Sequence, residues 1–107
     1  MYIYNVTLNI DESIHELWLE WIKNHIPEVL ATGHFSDALL TRVLVDEDMG
    51  GITYSVQYRA KSKEDLDSYY KNHADRLRQD GLQRFGEKVL AFRTELQIID
   101  EYSVTFK

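Results

Sequence analysis

Apolar residues in this chain recur first at every second position, then at helical spacing, then at every second position again, and this succession restricts the fold more than any other feature. A strand turns successive side chains to opposite faces, whereas a helix gathers residues three and four apart onto one face. In residues 2–10, Tyr4, Val6, Leu8 and Ile10 share one side and Ile3, Asn5, Thr7 and Asn9 the other, which predicts a strand with one apolar face. Ile14, Leu17, Trp18, Trp21, Ile22 and His25 then follow a helical stripe. Ser13 and Glu16 have capping-box spacing at its start. Pro27 is expected to stop this helix, because it lacks a backbone donor and restricts Ile26. A short turn from Pro27 to Thr32 would then end at Gly33.

Phe35 to Val45 reads as a second strand. Ala38, Leu39 and Leu40, and again Val43, Leu44 and Val45, are apolar in a row, so this strand expects cover on both sides. An acidic hairpin loop from Asp46 to Gly51 follows. Ile52, Tyr54, Val56, Tyr58 and Ala60 then alternate with Thr53, Ser55, Gln57 and Arg59. Ser62 and Asp65 signal a second helix, whose buried stripe is Leu66, Tyr69, Tyr70, His73, Ala74 and Leu77, with Gly81 as its stop. In the last strand, 89–99, Leu90, Phe92, Leu96 and Ile98 are expected to face the core; Ala91, Arg93, Glu95 and Gln97 take the other face.

Strand, helix, strand, strand, helix, strand is the split βαβ order. Right-handed crossovers place both helices on one side of one antiparallel sheet. The expected fold is therefore α+β, a ferredoxin-like βαββαβ sandwich of sheet order 4-1-3-2, forming a single domain over residues 1–107. A chain of 107 residues buries about two-thirds of its unfolded surface and needs no staples.

Composition removes several kinds of chemistry. Without cysteine there is no disulfide, thiolate nucleophile or thiolate metal site. Twelve basic residues scattered among eighteen acidic ones give a net charge of −6 and leave no basic stripe, so neither nucleic acid nor an anionic membrane is expected as a partner. No apolar run approaches the roughly 20 residues that span a bilayer. No leader-like stretch opens the chain, and a cytoplasmic location is expected.

The open sheet face is the candidate site. Asn5, Thr7 and Asn9 are expected to lie between Arg93, Glu95 and Gln97 on one side and Ser55, Gln57 and Arg59 on the other. Covered by a second subunit, these groups would line a cavity suited to a small organic ligand; left open, they are a wetted face with internally paired charges. His73 joins the candidates as a possible base or pH switch, against its ordinary reading as a structural histidine buried between helix and sheet. No metal site and no cofactor are expected. His25, Glu28 and His34 match no zinc spacing. Asp46, Asp48 and Gly50 begin like a calcium loop, but Gln57 stands where a bidentate glutamate is needed. No P-loop, dinucleotide fingerprint or nucleophile elbow is present.

The opening Ile3-Tyr4-Asn5-Val6-Thr7, the segment Asp11-Glu12-Ser13-Ile14, Trp18-Leu19-Glu20-Trp21, the run His25 to Gly33, Thr53-Tyr54-Ser55-Val56-Gln57-Tyr58 and Phe92-Arg93-Thr94 together resemble an uncharacterised bacterial family, the one numbered 4286 among domains of unknown function. The resemblance covers nearly the whole chain. It implies membership of the dimeric α/β-barrel group, in which two sheets pair through their open faces, and hence a homodimer. It carries no known activity. The wider group includes cofactor-free and heme-degrading monooxygenases. The heme degraders use an asparagine on the first strand, a histidine on the second helix and a tryptophan; Asn5 and His73 stand in roughly those elements, while Trp18 and Trp21 lie on the first helix instead. Three roles follow from this reading: a ligand-binding homodimer, a monooxygenase-like enzyme, or a purely structural interaction module.

Overall fold

A computed structural model describes residues 1–45 and 50–105. Most of the expected acidic loop, Asp46 to Met49, lies outside the described residues. The elements are β1 (Tyr2–Ile10), α1 (His15–Leu30), β2 (Asp37–Arg42), β3 (Ile52–Ala60), α2 (Lys63–Tyr69), a π-helical turn (Tyr70–Ala74), α3 (Asp75–Phe85) and β4 (Val89–Gln97). The sheet order is β2-β3-β1-β4, with every neighbouring pair antiparallel. This is the expected α+β arrangement, with Tyr4, Val6, Leu8, Ile10, Tyr54, Val56, Tyr58 and Ala60 buried beneath Trp18, Ile22, Val29, Leu66, Tyr69 and Leu77 of the helices.

Helix boundaries differ from the reading of the sequence in instructive ways. Pro27 does not stop α1, which runs through it to Leu30. Proline removes one hydrogen bond, whereas the burial of Val29 beyond it favours one more turn; tertiary packing wins. The helix ends where Gly33 takes φ 84° and its N–H donates to the Leu30 carbonyl at 3.1 Å. Ser13 does not cap α1. Asp11 instead accepts from the Ser13 N–H at 2.9 Å, capping a short 3-10 turn over Glu12–Ile14. Ser62 caps α2 as expected, its Oγ accepting from the Asp65 N–H at 3.1 Å. Gly81 is not a stop: helical structure continues to Phe85 and ends at Gly86, φ 56°. The strand expected over 35–45 is paired only from Asp37 to Arg42, extended at each end by one hydrogen bond, from the Ser36 N–H to the Arg59 carbonyl and from the Val43 N–H to the Thr53 carbonyl.

The largest correction concerns β4. Residues directly opposite in an antiparallel pair share a face. Ile10 is paired with Val89, Leu8 with Ala91, Val6 with Arg93 and Tyr4 with Glu95. Val89, Ala91, Arg93 and Glu95 therefore belong to the helix-bearing face, and Leu90, Phe92, Thr94 and Leu96 to the open one, the reverse of the expectation. Bulk hydrophobicity misassigned the strand because its apolar residues meet no helix. A one-residue exchange of faces inverts every side chain, and Arg93 and Glu95 leave the open-face site.

Candidate functional site

On the open face, β1 and β3 bring Asn5, Thr7, Asn9, Ser55, Gln57 and Arg59 together as expected, since Asn5 is paired with Gln57 and Thr7 with Ser55. These groups largely satisfy one another. Ser55 Oγ donates to Asn5 Oδ1 at 2.7 Å, and Asn5 Nδ2 to Thr7 Oγ1 at 3.2 Å. Asn9 Nδ2 donates to Thr53 Oγ1 at 3.2 Å. Arg59 donates to Glu101 Oε1 at 2.9 Å and lies 3.7 Å from Asp37. Around this network stand exposed apolar side chains: Phe92 at 68%, Leu39, Leu90 and Leu96. That composition, a satisfied polar strip flanked by uncovered hydrocarbon, has the character of an interaction surface.

His73 is half-buried on the π-helical turn rather than enclosed against the sheet. The turn inserts one extra residue into the helix, which rotates the stripe: Tyr69, Ala74 and Leu77 stay buried while His73 swings outward. Its Nδ1 is 3.3 Å from Arg76 Nη2, and its ring lies 5.4 Å from that of His34. Asn5 projects from the face opposite the helix that carries His73. The heme-degrader arrangement is therefore not assembled by these residues. His34 is likewise drawn away from His25: its Nδ1 is bonded to Asp65 at 3.1 Å, and that bond, with help from Ser62, holds the Asp65 carboxyl below its ordinary range.

Between the helices and the helix-bearing face of the sheet lies a cavity of about 100 Å³. The sheet contributes Tyr4, Val6, Leu8, Val56, Tyr58, Val89, Ala91 and Arg93. The helices contribute Trp18, Trp21, Ile22, His25, Tyr69, Arg78, Gly81 and Phe85. Three buried side-chain atoms have no hydrogen-bond partner among the described residues: Trp18 Nε1, His25 Nδ1 and Arg78 Nε. All three belong to residues lining this one cavity. Unpaired buried polar groups are uncommon, and each raises the question of what satisfies it.

The two arginines converge on one atom. Arg78 Nη2 and Arg93 Nε both donate to Tyr4 Oη, each at 3.1 Å. Arg78 also stands 5.9 Å from the Tyr70 ring centroid. Neither arginine has a carboxylate within salt-bridge distance among the described residues. Glu95, next but one to Arg93, is instead engaged by Lys63 at 3.0 Å. That bond, with a second from Tyr70, keeps Glu95 below the usual carboxylate range. Burial pushes the Tyr58 hydroxyl strongly up and Tyr69 up to about 12, so both are neutral donors at neutral pH. Burial also lowers His25, against the opposing pull of Glu28 and Asp80.

Sequence reasoning nominated Arg93 on the wrong face and did not nominate Tyr4, Trp18, His25 or Arg78 as a group. Tyr4 and Trp18 read as core from their spacing, and core they are. Only the tertiary structure shows that their polar atoms border a void.

The sheet order and the helices on one face define a ferredoxin-like α+β protein. The chain matches the family described as Domain of unknown function (DUF4286) over residues 1–99 and belongs to that family. Among solved structures it resembles a dimeric ferredoxin-like protein from an uncultured marine organism, at TM-score 0.72 and 12% identity, with 94% of this chain and 97% of that one covered. It also resembles a proposed antibiotic biosynthesis monooxygenase from Deinococcus radiodurans, at TM-score 0.60 and 13% identity over 99% of this chain and 100% of the other. At such identities the likeness is one of fold. No curated protein matches the chain. Among the described residues no helix is long and apolar enough to cross a membrane.

Proposed function

We propose that this protein is a homodimeric small-molecule-binding module whose ligand sits between the helices and the sheet, not in a barrel interior formed by the open faces. The observation that carries this reading is the clustering of three unpartnered buried polar atoms around one cavity. A polar atom buried without a partner costs about 1–3 kcal/mol, and a bound molecule that meets several of them recovers that cost. An apolar cavity with a few convergent polar groups is the usual form of a small-molecule site. The open faces are left to dimerisation, which the exposed Phe92, Leu39, Leu90 and Leu96 and the dimeric relative in fold support.

Trp18 and Trp21 both border the cavity, so their fluorescence reports its occupancy. Native mass spectrometry of protein purified without denaturation is expected to show a dimer carrying a small-molecule adduct. Titration of stripped protein with small organic compounds is expected to alter tryptophan emission saturably. A monomer would refute the dimer; the absence of both an adduct and any saturable response would refute the ligand site. The alternative is that the same cavity houses a monooxygenation, the activity in the name of the Deinococcus structure. Aerobic oxygen uptake with a compound shown to bind separates catalyst from carrier.

A further inference from the structure

We infer that the cavity takes an organic carboxylate, with the acid group held by Arg78 and Arg93 and an apolar body lying toward Trp18. This inference rests on the cavity being a ligand site and adds the chemical class of the ligand.

Charge is the first argument. The chain carries a net charge of −6, and the salt bridges among its described residues engage Arg59, Lys63 and Arg84. Arg78 and Arg93 have no such partner, yet they meet at Tyr4 beside a void. Arg78 is half-buried with its Nε enclosed, and a guanidinium partly withdrawn from water without an anion is costly, while Arg93 reaches the same point from the exposed rim. Two of them side by side repel. Tyr4 Oη relieves them only in part: as a neutral acceptor it satisfies one N–H of each, and Arg78 Nε remains both buried and unpaired. A carboxylate supplies two acceptor oxygens in the plane that a guanidinium fork matches. Tyr4 itself has both lone pairs occupied by the arginines, so its O–H is a further donor for the same anion.

The remainder of the cavity sets the body of the ligand. Trp18 packs on Tyr54 with ring centroids 5.0 Å apart, and Tyr54 is paired with Leu8. Trp18 thus lies toward Leu8, four residues along β1 from Tyr4, or roughly 13 Å at the rise of a strand. The walls between are Val6, Leu8, Ile22 and Ala91, which reject a second charge. The Trp18 Nε1–H, fully buried and unpartnered, can only donate, so one uncharged acceptor at the far end of the ligand is accommodated.

Matched acids and primary amides test this directly. Phenylacetate, 3-phenylpropionate and hexanoate are each titrated against their amides by calorimetry, using the 107-residue chain and its Arg93→Gln variant. Arg93 is largely exposed, so this variant keeps its fold, and Arg93→Lys checks whether charge alone suffices. At least one acid is expected to bind about tenfold or more tighter than its amide. Arg93→Gln should erase most of that preference, and Arg93→Lys should restore it only in part. Acids and amides binding equally would overturn the carboxylate assignment while leaving the cavity a ligand site. An acid preference untouched by Arg93→Gln would place the acid elsewhere and also overturn it. Binding of neither series up to millimolar concentration would overturn the cavity reading itself.

Discussion

Replacing Gly81 with alanine sets two opposed effects against each other. In a helix interior alanine is favoured over glycine by about 0.8–1.0 kcal/mol, and Gly81 lies within α3. Against this stands Trp21. A Cβ at position 81 would lie 2.9 Å from Trp21 Cη2 and 3.3 Å from Cζ2, so the indole must withdraw. It is not free to do so. Its Nε1–H donates to Asp80 Oδ2 at 3.0 Å, its ring stacks on His25 with centroids 4.3 Å apart, and Phe85 meets it edge-on at 5.6 Å. A hydrogen bond to a charged group is worth about 1.5–3 kcal/mol and an aromatic pair about 0.5–1.5 kcal/mol. Trp21 is half-buried, so the lower values apply. Losing even the hydrogen bond and half of one ring contact exceeds the helical gain. We expect Gly81→Ala to destabilise by about 1 kcal/mol, a fall of roughly 4 °C in Tm for a domain of this size. Thermal unfolding followed by far-ultraviolet circular dichroism checks this without relying on the perturbed tryptophan. Gln79→Ala, exposed on the same helix, shows the helix's own response. A Gly81→Ala protein melting at or above the parent temperature would refute the argument that Trp21 requires a glycine there.

Phe92→Asp, placing a charge on the open face, is expected to shift sedimentation velocity at micromolar concentration from dimer to monomer with the circular dichroism spectrum unchanged; an unaffected dimer would place the interface elsewhere. Ser62→Ala removes the cap of α2 and should cost about 1 kcal/mol in urea unfolding, an effect absent if the π-helical turn rather than the cap fixes this helix. Stability should fall as pH drops below about 6.5: burial depresses folded His25, so the unfolded chain binds the extra proton and gains on the folded one. Asp65, Asp80 and Glu95, all held low by hydrogen bonds, add a further loss below about pH 4.5. A Tm constant from pH 7 to 5 would contradict the placement of His25 in an apolar wall.

The sequence by itself determined the order of elements, the α+β class, the sheet order and the faces of β1 and β3. Each follows from local periodicity combined with the handedness of crossovers, and both central strands have one unambiguously apolar side because helices cover it. The Ser62 cap was legible for the same reason, being a short-range match of side chain to backbone. What the tertiary structure alone decided lies where local and long-range demands diverge. Pro27 looks like a stop, yet α1 passes through it because Val29 is needed in the core. Gly81 looks like a terminus, yet it serves the close approach of Trp21. In β4 the apolar residues Leu90, Phe92 and Leu96 turn away from the helices, since register with β1 leaves Arg93 on the inner face, where it joins Arg78 at Tyr4. The candidate site was out of reach of the sequence on the same ground: a cavity is defined by what fails to fill it, and whether Trp18, His25 and Arg78 find partners depends on residues from six different strands and α-helices meeting, or not meeting, in space.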